Sequence, residues 1–291
     1  MSEIEHVLPV QDEVGETPLW VPGEQALYWI DVEGRRVHRL EPATGEQQTF
    51  AVDFPITALA RRASGGWVAA SKAGVYFWDH RTNESSFVVD PEAGNPDVRF
   101  NDGVIDRQGR FLLGTLNQKD LDAPDGSLYR LDADGSIHKL DSGFAVANGI
   151  GLSPDGRTLY LTDMFHHCIL AYDYDTAAGT VGHRRTFAVV PAEAGLPDGL
   201  IVDGEGFVWS AHWAGWRITR YDPDGTVERE VRMPVANPTC LAFGGPGLTD
   251  LYVTSAWFLL GAEDRKAQPT AGDLFRIRTD VTGLVEPEFA G

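Results

Sequence analysis

The sequence of 291 residues predicts an all-β fold, a six-bladed β-propeller, from three observations. Short β-rich runs recur along its length, their spacing is nearly regular, and turn-forming pairs punctuate them. The runs are Ala26-Leu-Tyr-Trp-Ile-Asp31, Gly66-Trp-Val-Ala-Ala70, Arg110-Phe-Leu-Leu-Gly-Thr115, Thr158-Leu-Tyr-Leu-Thr-Asp163, Phe207-Val-Trp-Ser-Ala211 and Asp250-Leu-Tyr-Val-Thr-Ser255. Anchored on Tyr28, Trp67, Phe111, Tyr160, Val208 and Tyr252, they lie 39, 44, 49, 48 and 44 residues apart. Self-similarity at this period, with about four short strands per unit, is the signature of propeller blades. Such blades bury their faces only against their neighbours, so residues 1–291 are expected to form one domain.

Each unit reads in the same order. An apolar run such as Ile150-Gly-Leu152 or Leu200-Ile-Val202 comes first and would line the central channel. A turn, Ser153-Pro-Asp-Gly156 or Asp203-Gly-Glu-Gly206, leads from it to the anchor strand. A third strand then ends in a further turn, as Leu128-Tyr-Arg-Leu131 does before Asp132-Ala-Asp-Gly135, and Ile218-Thr-Arg-Tyr221 before Asp222-Pro-Asp-Gly225. Asp-Gly and Thr-Gly pairs between alternating runs are hairpin signals. No helical period of useful length competes with them. Residues 4–10 are expected to complete the last blade and tie the two ends of the chain together.

Composition narrows the function. Lys and Arg number 24 against 43 Asp and Glu, a net charge of −19, which argues against nucleic acid or an anionic membrane as a partner. No apolar run is long enough to cross a bilayer. The first residues lack the basic and apolar regions of a secretory signal, and the two cysteines, Cys168 and Cys240, form no Cys-x-x-Cys pair. A cytoplasmic protein with reduced thiols is expected, a monomer or small homo-oligomer acting on a small molecule.

Propeller geometry makes the start of each innermost strand converge on one end of the channel. Ten to twelve residues upstream of the first five anchors stand Glu16, Thr57, Asn101, Asn148 and Asp198. In the sixth unit the first turn is longer, and Asn237 lies fifteen residues before Tyr252. Any one Asn-Gly or Asp-Gly is an ordinary turn pair. Four oxygen-bearing side chains in one register (Glu16, Asn101, Asn148 and Asp198) point instead to a divalent cation, Ca²⁺, Mg²⁺, Mn²⁺ or Zn²⁺, with positions left for water or substrate. The loops linking second and third strands rim the same end and carry Lys119, His166, His167, His212, Trp216 and Trp257. Aromatic and polar groups in such a rim suit a small polyhydroxylated ligand. Arg99 and Lys119 are the cations placed to hold a ligand oxygen. Nucleophile-elbow, HExxH, P-loop and dinucleotide-binding signatures are absent.

The sequence resembles the SMP-30/gluconolactonase/regucalcin-like family of six-bladed propeller lactonases. The resemblance rests on Gly15-Glu-Thr-Pro-Leu-Trp20, Arg99-Phe-Asn-Asp-Gly103, Asn148-Gly149, Ala171-Tyr-Asp-Tyr-Asp175, Pro197-Asp-Gly-Leu200 and Ala271-Gly-Asp-Leu-Phe275, in order and nearly end to end. It implies that Glu16, Asn148 and Asp198 hold the divalent metal and that Arg99 and Asn101 contact the substrate. One departure is Lys119, which stands where vertebrate members commonly carry a substrate-facing glutamate. A cation there would suit a lactone bearing a carboxylate, and the plain alternative is a different neutral sugar lactone. The expected reaction is hydrolysis of an aldono- or aldaro-lactone, with the metal as Lewis acid and Asp198 as general base. The rival expectations are an esterase or organophosphate hydrolase on the same metal site, and a calcium-binding regulatory propeller without catalysis.

Overall fold

The computed structural model describes residues 4–291 as six four-stranded antiparallel sheets, one for each repeat unit. Five sheets take four consecutive strands. They are Gly15–Val21 to Glu46–Ala51, Ile56–Arg61 to Glu84–Val89, Val98–Ile105 to Ile137–Phe144, Ala147–Leu152 to Thr180–Val189, and Leu196–Val202 to Val227–Arg232. The sixth takes Pro238–Gly244, Asp250–Ser255 and Leu274–Arg278 and receives Ile4–Leu8 as its outer strand. The expected tie between the ends of the chain is therefore present. Ile4 pairs with Ile277 and His6 with Phe275. Arg276 holds Glu5 at 2.6 Å across the seam. Helix is confined to Ala262–Ala267 and the single 3₁₀ turn Ala192–Ala194 among the described residues.

The repeated turns have one physical cause. In 106–109, 132–135, 203–206 and 222–225 the glycine N–H donates to the carbonyl of the leading aspartate at 2.9–3.0 Å. That glycine adopts φ between 78° and 87°, the left-handed region that a Cβ disfavours. Asp203 and Asp222 also accept backbone N–H groups on their carboxylates at 2.9–3.0 Å, so side chain and backbone specify the same bend.

The chain forms two compact units. The first comprises residues 4–53 with Val190–Val285, and the second Phe54–Val189 with Glu286–Gly291. In the first unit, Trp209, Ala211 and Ile218 pack with Leu241, Val253 and Phe275 of the next sheet. Trp20, Leu27 and Trp29 pack with Ala242, Tyr252 and Leu274 in the same way. The second unit repeats the arrangement, with Val68 and Ala70 against Phe111 and Leu113, and Leu112, Leu128 and Phe144 against Leu159, Leu161 and Tyr172. Strands buried on both faces explain the near-continuous apolar anchors such as Ala26–Asp31. The last residues were not anticipated as part of this packing. Phe289 is fully buried in the second unit, and its N–H and carbonyl bond Arg61 and Ala63.

Candidate functional site

Every innermost strand carries a β-bulge, and the residues selected by spacing stand in or beside it. Register breaks fall between Glu16 and Leu19, Ile56 and Ala58, Phe100 and Gly103, Asn148 and Ile150, Pro197 and Leu200, and Pro238 and Leu241. A bulge re-aims side chains and ends regular pairing, which makes it a recurrent device at binding sites. The Asn-Gly and Asp-Gly pairs at 148–149 and 198–199 are thus mid-strand features rather than hairpin turns.

In the first unit stand Glu16 and Asp198. Glu16 precedes Thr17, whose φ of 46° marks the distorted backbone and whose N–H donates to the Glu16 carboxylate at 3.2 Å. Asp198 is buried, at 2% exposure. A Cβ on the following Gly199 would lie 2.6 Å from Cys240 Sγ and 2.8 Å from its Cα, so only glycine lets the Asp198 bulge nest against the neighbouring strand. In the sixth sheet the bulged residue is Thr239, not Asn237. The Thr239 hydroxyl donates to the Gly15 carbonyl at 2.5 Å and bonds Thr254 at 2.9 Å. Asn237 instead accepts the Ala214 N–H at 3.0 Å.

His212, in strand Val208–Trp213, lies opposite Pro197. Its Nδ1 is 3.1 Å from the Ala194 carbonyl, and burial pulls its pKa down to about 4, so the ring is neutral under physiological conditions.

In the second unit stand Arg99, Asn101, Lys119 and Asn148. Arg99 donates from Nη1 to the Phe100 carbonyl at 2.8 Å and to Asn101 Oδ1 at 3.4 Å. Asn101 Nδ2 donates to the Ala147 carbonyl at 3.4 Å, which joins the Asn101 strand to the one bearing Asn148. Asn148 is buried, its Oδ1 accepts the Gly149 N–H at 3.0 Å, and its Nδ2 faces Met164 Sδ at 3.6 Å. Lys119 is on the 117–126 loop, 73% exposed in its side chain, with Nζ 2.6 Å from Asp97. His166 is held by buried Asp163 at 2.8 Å.

Asp102, the next residue after Asn101, was not singled out by spacing. It accepts the Gly103 N–H at 2.7 Å, and burial raises its pKa to about 6. The signal was available in Arg99-Phe-Asn-Asp-Gly103, where a carboxylate shares the bulge with Asn101. Among the described residues, no three His, Cys, Asp or Glu side chains cluster as a metal site. The expected set differs from such a cluster, because one of its three members is an amide.

With the strand register in place, the chain can be compared with known proteins. Residues 14–257 match the family described as the SMP-30/Gluconolactonase/LRE-like region. The chain belongs to this family. Among its relatives is the 6-deoxy-6-sulfogluconolactonase of Pseudomonas putida, 37% identical, with 96% of this chain and 95% of the relative covered. Another is the pentonolactonase XacC of Haloferax volcanii, 35% identical over 98% of this chain and 97% of the relative. The crystal structure of a calcium-binding protein, regucalcin, from Agrobacterium tumefaciens superimposes with a TM-score of 0.94 at 29% identity, covering 99% of this chain and 97% of that one. The six sheets are accordingly the blades of a six-bladed β-propeller, the common scaffold of this SMP-30/gluconolactonase family.

Proposed function

We propose that this SMP-30/gluconolactonase family member is a lactonase that opens a sugar-acid lactone to the free acid. The observation that carries the reading is the shared bulge register of Glu16, Asn101, Asn148 and Asp198, at positions matching the family's motifs. Relatives named for two different sugar lactones, each matched nearly end to end, support the same substrate class. The reading takes residues 1–291 as one catalytic domain. Among the described residues neither cysteine forms a disulfide, which suits the reducing cytoplasm.

Glu16, Asn148 and Asp198 would hold one divalent cation. Their donor set fits it: two carboxylates nearly neutralise the charge, and the Asn148 amide supplies a neutral oxygen of the hard type such a cation takes. When bound, the cation supplies Lewis-acid polarisation of the lactone carbonyl and charge to stabilise the oxyanion. Asp198 accepts a proton from the attacking water as the new C–O bond forms at the carbonyl carbon. It returns that proton to the ring oxygen as the ester C–O bond breaks, giving a hydroxy acid. Arg99 and Asn101, tied to each other and to the Ala147 carbonyl, orient the lactone oxygens. Lys119 would exchange its exposed Asp97 partner for a substrate carboxylate, which extends the class from aldono- to aldaro-lactones.

The test is proton release from a panel of aldono- and aldaro-lactones. The enzyme is first stripped of metal and then reconstituted with Ca²⁺, Mg²⁺, Mn²⁺ or Zn²⁺ singly. Metal-dependent acidification is expected, and Asp198→Ala should abolish it even at saturating metal. Turnover of aryl or phosphate esters without lactone opening would replace the reading with another hydrolase. Tight Ca²⁺ binding with no turnover would replace it with a calcium-binding regulatory role.

A further inference from the structure

The strand paired with the Asp198 strand carries a histidine that the proposed chemistry leaves unused. His212 is 1% exposed. Its Nδ1 faces the Ala194 carbonyl, which only accepts, so the hydrogen is on Nδ1 and the lone pair on Nε2. Among the described residues nothing donates to Nε2, although the atom is closed to solvent. Leaving a buried acceptor unmatched is costly, and such an atom calls for a functional explanation. The surroundings hold the ring firmly. A Cβ on Gly215 would lie 2.2 Å from the Ala194 oxygen and 2.6 Å from His212 Cβ, so the 212–216 loop packs against His212 and the Ala194 carbonyl only because residue 215 is glycine.

The position is as specific as the tautomer. His212 pairs with Pro197, immediately before Asp198. The carbonyl that fixes its tautomer belongs to the turn Ala192–Ala194, which leads into the Asp198 strand. A histidine kept neutral by burial and oriented through one nitrogen presents the other as a dedicated acceptor.

We propose that His212 is a further site residue whose Nε2 accepts a hydrogen bond from an O–H donor held beside Asp198, either a hydroxyl of the sugar or the attacking water. The inference rests on the lactonase reading above and adds to it a selection for hydroxylated substrates. Burial gives such an acceptor its selectivity, because a ligand without the hydroxyl leaves Nε2 unpaired in a closed site.

Two variants separate this role from a structural one. In His212→Asn the side-chain amide takes the place of Nδ1–H and keeps the bond to Ala194 while deleting the Nε2 acceptor. His212→Ala loses both. Each is assayed with gluconolactone and its monodeoxy analogues, alongside bound-metal content and Tm. For a substrate hydroxyl, His212→Asn should raise KM on gluconolactone about tenfold and leave one deoxy analogue unchanged. For the attacking water, it should lower kcat about tenfold on all of them, with Tm and metal content retained. His212→Asn kinetics within twofold of the wild type, with only His212→Ala impaired, would reduce His212 to a structural tie and overturn the inference. Metal loss in step with activity would overturn it too. A wild type inactive on every lactone would remove the lactonase reading and this inference together, whereas an active wild type with an unaffected Asn variant removes this inference alone.

Discussion

Replacing Glu286 with glutamine should stabilise the protein, and only as the pH rises above about 5. Glu286 leads the segment that ends in buried Phe289. Its carboxyl is pushed up to about 7, chiefly by desolvation, with Arg107 opposing and Asp102 reinforcing the shift. Asp102 is itself raised to about 6 by burial. An acid with a folded pKa above its unfolded value of 4.5 binds more protons folded than unfolded between the two. Its contribution to stability is therefore greatest below about 4.5 and is lost as the pH rises through about 7. The interval corresponds to roughly 2–3 kcal/mol, taken at the lower end because Glu286 keeps some solvent contact. Glutamine keeps the size and cannot ionise. The Tm advantage of Glu286→Gln should be near zero at about pH 4.5 and reach roughly 5 °C by about pH 8.5 for a chain of this length. Differential scanning calorimetry of both proteins across that range, at constant ionic strength, reads the difference directly. An advantage that is flat with pH, or that shrinks as pH rises, would refute the buried acid pair.

Two further perturbations probe the site and its frame. Lys119→Ala should raise KM about two- to fivefold for lactones carrying a carboxylate and leave neutral lactones unaffected, the size being that of an exposed ion pair. Equal effects on both classes would show that Lys119 reads no carboxylate. In the first sheet, Asp12→Ala strips a buried acceptor from Trp29 Nε1 and His38 Nε2, both at 2.9 Å, and from Arg36 at 3.4 Å. A loss of about 3–5 kcal/mol is expected in urea denaturation, and a loss below about 1 kcal/mol would mean that these donors find other partners.

The fold was legible because its determinants are local and repeated. Each Asp-x-x-Gly turn at 106–109, 132–135, 203–206 and 222–225 makes the same hydrogen bond around the same glycine conformation, so the period survives in the letters. The electrostatic coupling of Glu286 to Asp102, and the bonding of Phe289 to the Arg61 strand, left no such mark. They join residues distant in sequence, and no periodicity announces them. The orphaned nitrogen of His212 was hidden for a related reason. The sequence placed a histidine at the rim, but its tautomer depends on where the Ala194 carbonyl lies.

The site was legible to the extent that strand pairing preserves counting. From anchor back to bulge, the chain crosses one short hairpin, so the offset stays within ten to twelve residues and Glu16, Asn101, Asn148 and Asp198 fall into line. In the sixth blade the turn 245–249 is no longer than 203–207, against expectation; the bulge stands at Thr239, thirteen residues before Tyr252, so the fifteen-residue count to Asn237 overshoots it. The dipeptide Asp198-Gly199 shows the other boundary of such reasoning. Read alone it is a turn, since aspartate and glycine both favour one. In the folded chain the glycine is required because Cys240 of the neighbouring strand occupies the space a Cβ would need, and this lets a buried carboxylate stand in the middle of a strand. A substitution at 199 should therefore disturb Asp198 through packing. Register across blades, rather than residue preference within one, is what separates a site from a turn in this fold.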